Sequence, residues 1–159
     1  MKNPTIFIHG QESSSQGTKA VYFRELIPEI IIPDFTGDVS VRMLKLNDIL
    51  RDKKGIIVVG SSLGGLMAAL YAFQKPNNLK KLILLAPAIN LNEFSPYMSK
   101  TINLPVYVFH GSKDDIIPLK SVQEISAKVF KNLSFTVLDD DHRLSERFTS
   151  IDWIDLLKR

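Results

Sequence analysis

Residues 56–65 read Ile-Ile-Val-Val-Gly-Ser-Ser-Leu-Gly-Gly, four apolar residues running into Gly60-Ser61-Ser62-Leu63-Gly64. No other stretch constrains the fold as tightly. A continuous apolar run reads as a strand buried on both faces. The G-x-S-x-G pattern after such a strand is a sharp strand-to-helix turn, whose strained central residue, here Ser62, thrusts its hydroxyl out at the top of a sheet. Gly60 and Gly64 flank that serine where a larger side chain would collide with the adjacent strand or helix. The stretch from Leu63 to about Gln74 is rich in Leu, Ala and Met and stops at Pro76. A helix therefore begins where the turn needs one, with its positive end toward the serine.

The same kind of apolar run, bounded by Gly, Pro, Asn and Asp, recurs at 5–8, 30–32, 82–85, 106–109 and 133–138. Most of these runs do not alternate polar with apolar, the mark of central strands in a parallel sheet. Amphipathic segments lie between them. Met43, Leu46 and Leu50 share one helical face, as do Val122, Ile125 and Val129, with Ser121 and Glu124 spaced as a capping box. Phe148, Ile151, Ile154 and Leu157 mark a last helix. The alternation predicts an α/β domain of about six parallel strands joined by right-handed crossovers. With 159 residues and 45% hydrophobic content, the chain has material for one domain, 1–159, with a sizeable core.

The remaining composition excludes several function classes. Twenty basic and 17 acidic residues are interspersed and leave a net charge of only +3, a solvated surface without a nucleic-acid footprint. The absence of cysteine removes thiolate chemistry and disulfides. No apolar stretch approaches the roughly 18 to 20 residues of a membrane span, and the N-terminus shows no long apolar leader. A cytoplasmic location is the expectation. The phosphate-binding order G-x-x-x-x-G-K-[ST] and the dinucleotide pattern G-x-G-x-x-G are both absent.

Functional residues of open α/β sheets collect beyond the carboxyl ends of the strands, and all three histidines fall there: His9, His110 and His142. No H-x-x-x-H pair exists, so a metal site is not expected. Chain order separates the three. A serine nucleophile of the strand-turn-helix type takes its partners in the order Ser, Asp or Glu, His, and the sequence offers Ser62, then Asp114, then His142. His9 and His110 read instead as imidazoles pinning loops at strand ends. Asp139, Asp140 and Asp141 read as a solvated acidic turn, Ser61 as a local packing residue, and Ser13, Ser14 and Ser15 as a mobile rim.

Four stretches together resemble the α/β-hydrolase superfamily, in particular its small lidless bacterial serine esterases: Phe7-Ile8-His9-Gly10, Gly60 to Gly64, the run from His110 to Pro118, and Asp141-His142-Arg143-Leu144. The resemblance implies a minimal version of that fold without a cap domain, since only residues 87–104 separate Ala86 from Pro105. It implies that Asp114, four residues after His110, orients His142, with Asp115 as the rival carboxylate. Two amides are implied as the oxyanion site, that of Leu63 after the nucleophile and that of Gln11 after His-Gly. Leu91, Phe94, Tyr97 and Met98 either fold over the site as a rim, the last three as substrate-binding residues, or close the core.

The expected activity is a serine hydrolase that cleaves small carboxylic esters without a cofactor. An acyl-protein or acyl-CoA-type thioesterase, and a non-catalytic interaction protein on the same scaffold, stand as alternatives. The expected partner is a small ester or thioester, with no nucleic acid and no membrane span. A small sheet with exposed edges is also a template for a homodimer.

Overall fold

Alternate residues along the central strands face two different cores, and both sets are apolar. Ile6, Ile8, Ile56, Val58, Leu82, Leu84, Val106 and Val108 face one layer, whereas Phe7, Ile57, Val59, Ile83, Leu85 and Phe109 face the other. Such strands lose apolar surface to water unless helices cover both sides, and the chain folds accordingly. The computed structural model describes residues 2–158. In chain order the elements are β1 (Thr5–Ile8), α1 (Thr18–Leu26), α2 (Val39–Leu50), β2 (Ile56–Ser61), α3 (Leu63–Gln74), β3 (Leu79–Leu85), β4 (Ile102–Gly111), α4 (Leu119–Val129), β5 (Phe130–Leu138) and α5 (Trp153–Leu156). The five strands form one parallel sheet in the order β1-β2-β3-β4-β5. Residues of α2, α3 and α4 pack on one face, and those of α1, α5 and the 3-10 helix Phe148–Ser150 on the other.

The sixth expected strand, at 30–32, is reduced to a single bridge. Ile31 pairs with Ile6, donating to Thr5 O at 2.9 Å and accepting from Phe7 N at 3.0 Å. In a parallel ladder alternate residues present their N–H to the same neighbour, so the next donor toward β1 would be residue 33. Position 33 is a proline and has no N–H. At the opposite side β4 starts earlier than the apolar run suggests. Four residues, Ile102 to Pro105, run against three on β5, Phe130 to Asn132, an irregularity that accommodates a proline in a strand.

Two expected helical features differ. The last helix is broken into the 3-10 helix Phe148–Ser150 and α5, with Asp152 capping Asp155 N between them and Ile154 left 70% exposed. Its buried anchor is Trp153, stacked edge-on against Phe23 at 4.8 Å and donating Nε1–H to Phe148 O. Ser121 and Glu124 do not form a capping box, because α4 begins at Leu119 behind Pro118 and Glu124 instead pairs with Lys120. Among the described residues no helix is long and apolar enough to cross a membrane.

Register decides where chemistry collects. Ile8 lies level with Gly60, Ser61 with Leu85, and Leu85 with Phe109. The loops after β1, β2, β3, β4 and β5 therefore leave from one edge of the sheet. The tightest packing lies there as well: a Cβ on Gly64 would stand 2.1 Å from Ile8 O and 2.6 Å from His9 O, both rigid backbone atoms. Gly64→Ala should thus cost about 3 kcal/mol or abolish folding, read from the denaturant midpoint. Gly10→Ala, whose methyl would meet nothing nearer than 3.4 Å, should stay within about 1 kcal/mol of the unmodified chain.

Candidate active site

Between β2 and α3 the backbone of Ser62 adopts φ 56° and ψ −116°, a conformation that costs a non-glycine residue about 1 to 3 kcal/mol. Surrounding bonds enforce it. Ser62 N–H donates to Leu85 O at 2.9 Å, and the Ser62 carbonyl accepts from Gly65 N at 2.9 Å, Leu66 N at 3.2 Å and Ala88 N at 3.0 Å. The last of these ties the crossover after β3 to the turn. Freed from backbone duties, Ser62 Oγ points out beyond the sheet and lies 3.0 Å from His142 Nε2.

On the far side of that imidazole, Nδ1 lies 2.8 Å from Asp114 Oδ2. The Asp114 side chain is fully buried, and its other oxygen accepts from Ile116 N at 2.9 Å and Ile117 N at 2.8 Å. A carboxylate only accepts, so Nδ1 carries the imidazole proton and Nε2 turns a lone pair to the serine. Asp115, the rival by sequence, is exposed to solvent, and Asp114 is the one that meets the imidazole.

The loop that brings His142 here is held by Asp140. This residue is 5% exposed, not part of a solvated turn, and accepts from Asp141 N at 2.8 Å, Glu146 N at 3.0 Å and Arg147 N at 2.8 Å. Asp139 and Asp141 keep the expected character, the first paired with Lys113 and the second accepting from Arg143 N. The acid and histidine loops are joined as well. Lys113 N–H donates to Asp140 O at 3.0 Å, and a Cβ on Gly111 would stand 2.3 Å from that same oxygen. From α1, Lys19 Nζ donates to Arg143 O at 2.5 Å. Burial, then repulsion from Arg143, lowers the Lys19 ammonium below its ordinary range.

The loop after β1 completes the surroundings. Gly10 lies against the serine, with a Cβ position 3.4 Å from Ser62 Cβ. Gln11 follows it, and among the described residues neither the Gln11 nor the Leu63 amide has a backbone partner. His9 is 1% exposed, donates Nδ1–H to Gly10 O at 2.7 Å and accepts from Phe35 N at 3.0 Å. Ser15 is not part of a mobile rim: its amide and hydroxyl both bind Asp34, at 2.7 and 2.9 Å, and it is 8% exposed.

Phe94 is not a rim residue. It has no exposed surface and packs against Phe73 and Tyr97, because the 3-10 helix Asn92–Tyr97 lays its apolar side on the core. Tyr97 and Met98 are half-buried beside it, and Tyr97 Oη accepts from Gln74 Nε2. Two apolar side chains stand outside: Ile116, 67% exposed and two residues from Asp114, which the sequence reading did not select, and Leu91, 41% exposed, whose amide bonds Ala88 O. An isoleucine in a polar turn was the legible signal for the first. Among the described residues no group of three or more His, Asp or Glu is placed to hold a metal ion.

The family model of serine aminopeptidases, S33, matches residues 34–101, a span that includes Ser62 and stops short of Asp114 and His142. No curated protein matches the chain in sequence. Solved structures match over nearly its whole length. Mouse alpha/beta hydrolase domain-containing protein 10 superposes with a TM-score of 0.79 at 21% identity, covering 98% of this chain and 90% of that one. Est1E from Butyrivibrio proteoclasticus gives 0.75 at 20% identity, over 94% and 84%. A Paleococcus ferrophilus monoacylglycerol lipase gives 0.72 at 15% identity, over 98% and 96%. The chain has the α/β-hydrolase fold, with a five-stranded parallel sheet flanked by helices.

Burial sets the acid sensitivity of this edge. Desolvation holds the His110 imidazole below its ordinary range, so the folded chain refuses a proton that the unfolded chain accepts. Its contribution to stability is complete above about pH 6.5 and is lost as the pH falls below that. Although burial opposes its charge, the amides of Arg147, Asp141 and Glu146 hold the Asp140 carboxyl below the usual range. That contribution is present above about pH 4 and is lost below it. Asp140→Asn should therefore lower the unfolding free energy by about 2 kcal/mol at pH 7. The gap should close in denaturant titrations repeated near pH 3.

Proposed function

We propose that the chain is a serine hydrolase that cleaves small carboxylic esters through an acyl-enzyme. The observation that carries this reading is the unbroken relay from Ser62 Oγ to His142 Nε2 at 3.0 Å and from His142 Nδ1 to Asp114 Oδ2 at 2.8 Å. A serine hydroxyl is a weak nucleophile until a base takes its proton. His142 takes it as Ser62 Oγ attacks the acyl carbon, and Asp114 keeps the imidazole in the useful tautomer and stabilises the imidazolium that forms. The carbonyl oxygen becomes an oxyanion and turns to the amides of Leu63, at the positive end of α3, and Gln11. The tetrahedral intermediate collapses, the alcohol leaves with the proton from His142, and water attacks the acyl-serine by the same route in reverse. No step calls for a cofactor.

Substrate size follows from the apolar groups near the relay. Each buried methylene contributes about 0.8 kcal/mol at best, and the exposed apolar side chain on the turn of Asp114 is Ile116, whereas Tyr97 lies against Phe73 and Gln74 at the end of α3 away from Ser62. One exposed isoleucine suits a short acyl group. The similar structures include a monoacylglycerol lipase and Est1E with ferulic acid bound, and an ester-cleaving reading sits comfortably beside them.

Ser62→Ala should remove labelling by a fluorophosphonate probe and nearly all turnover while leaving the fold intact; if Ser61→Ala does so instead, the nucleophile is misassigned. Asp114→Asn should lower kcat by roughly 10⁴, as for triad acids elsewhere, and Asp115→Asn by far less. Across aryl esters, kcat/KM should be highest from acetyl to hexanoyl. A steady climb to palmitoyl would overturn the short-acyl assignment.

A further inference from the structure

His110 is the penultimate residue of β4 and is fully buried, yet the relay just described does not use it. Its two nitrogens have different surroundings. Nδ1 is buried with no hydrogen-bond partner. Nε2 faces two acceptors, Ile117 O at 2.8 Å and Asp114 Oδ2 at 3.2 Å. Acceptors call for a proton between, so Nε2 carries the hydrogen and Nδ1 the bare lone pair. The N–H donates to Ile117 O, and the positive edge of the ring is thereby turned to the carboxylate oxygen that also meets His142.

We propose that His110 is a positioning residue for Asp114, fixing through Ile117 the turn that cradles the carboxylate and tempering its charge where it faces His142. This inference rests on the serine-hydrolase reading above. Two effects follow from one group. By gripping the Ile117 carbonyl, His110 fixes the peptides whose amides, Ile116 N and Ile117 N, hold Asp114 Oδ1. By presenting an N–H edge 3.2 Å from Oδ2, it draws charge from the oxygen that would otherwise stabilise an imidazolium on His142 more strongly. Burial keeps His110 neutral, lowering its pKa, so it supplies a fixed dipole and not a titrating charge.

Other charged groups surround the pair without taking this place. Lys113 and Asp115 lie on the acid's own turn and are exposed; Asp140, Asp141 and Arg143 lie on the histidine loop, and Lys19 reaches that loop from α1. Among the described residues, the side chains with a polar atom within ion-pair distance of the Asp114 carboxylate are His142 and His110.

The test compares His110→Leu, which fills the space without a donor, with His110→Gln, whose amide nitrogen reaches where Nε2 lies. In the leucine variant kcat for a short aryl ester should fall about ten- to hundredfold with KM within about twofold, since no group that touches substrate has changed. The acid limb of the kcat/KM profile should move to higher pH by about half a unit or more, because a more basic carboxylate stabilises the protonated, inactive His142. The glutamine variant should regain most of the rate and return the limb toward the unmodified position. Titration of the His142 imidazole by NMR, without substrate, should show the same upward move.

A merely structural role would reduce the fraction of chains that a fluorophosphonate titrates and leave both pH curves in place; that result overturns the proposal. So does a glutamine variant that folds yet behaves like leucine, or a leucine variant with unaltered kcat. The NMR titration needs no turnover. An unmodified chain that hydrolyses no ester and takes up no probe would sink the hydrolase reading, whereas an unmoved His142 titration in the leucine variant would sink this one alone.

Discussion

Ser62 holds a backbone conformation that its own side chain disfavours, and the structure around it reads as the set of contacts that prevent its relaxation. Its carbonyl collects three amides, from Gly65, Leu66 and Ala88, and its amide is held by Leu85. Two of these partners belong to α3 and two to β3 and the crossover beyond it. A turn tied on so many sides cannot move without breaking the β2–β3 ladder or unwinding the start of a helix. Strain of a few kcal/mol persists only where the environment over-determines it. Here the environment is the sheet itself, because Ile8, Gly60 and Leu84 are level neighbours in adjacent strands.

The histidine and its acid depend on a different device. Neither loop has regular structure, yet Asp114 is cradled by Ile116 and Ile117, Asp140 by three amides of its own loop, and Lys113 N–H joins one loop to the other. Buried carboxylates thus serve as the cores of loops too short to have apolar ones. Ionised oxygens accept stronger bonds than neutral ones, which suits loops that must hold side chains to within fractions of an ångström.

The parts legible in the sequence were those with a local signature. A four-residue apolar run entering G-x-S-x-G announces its turn because only small residues fit it, and the order Ser62, Asp114, His142 follows the strand order of the sheet. What escaped depended on partners distant in the chain. Trp153 escaped because a three-residue spacing through Phe148, Ile151, Ile154 and Leu157 passes it by, while the pocket that it fills is built by Phe23 and Phe148. For Phe94 rim and core stood open together because it lies between strands, and only Phe73 on α3 shows that it faces inward. Asp140, one of three consecutive aspartates, differs from its neighbours solely in where the fold turns it. The strand at 30–32 was read from side chains, but proline 33 acts through a missing backbone hydrogen, which side-chain hydropathy does not register.

The bond from Ala88 N–H to the Ser62 carbonyl has a consequence for how such a chain can diversify. The crossover from β3 to β4 is fastened to Ser62 at its first residues and then runs past Leu91 before returning through the 3-10 helix Asn92–Tyr97. Length added beyond Leu91 would leave the fastening intact and would grow upward from the rim of the site, like a roof raised from a fixed sill. The turn that holds Ser62 and the cover above it can therefore change independently, the first written into residues 60–66 and 86–88, the second into a segment that is here only two turns of 3-10 helix.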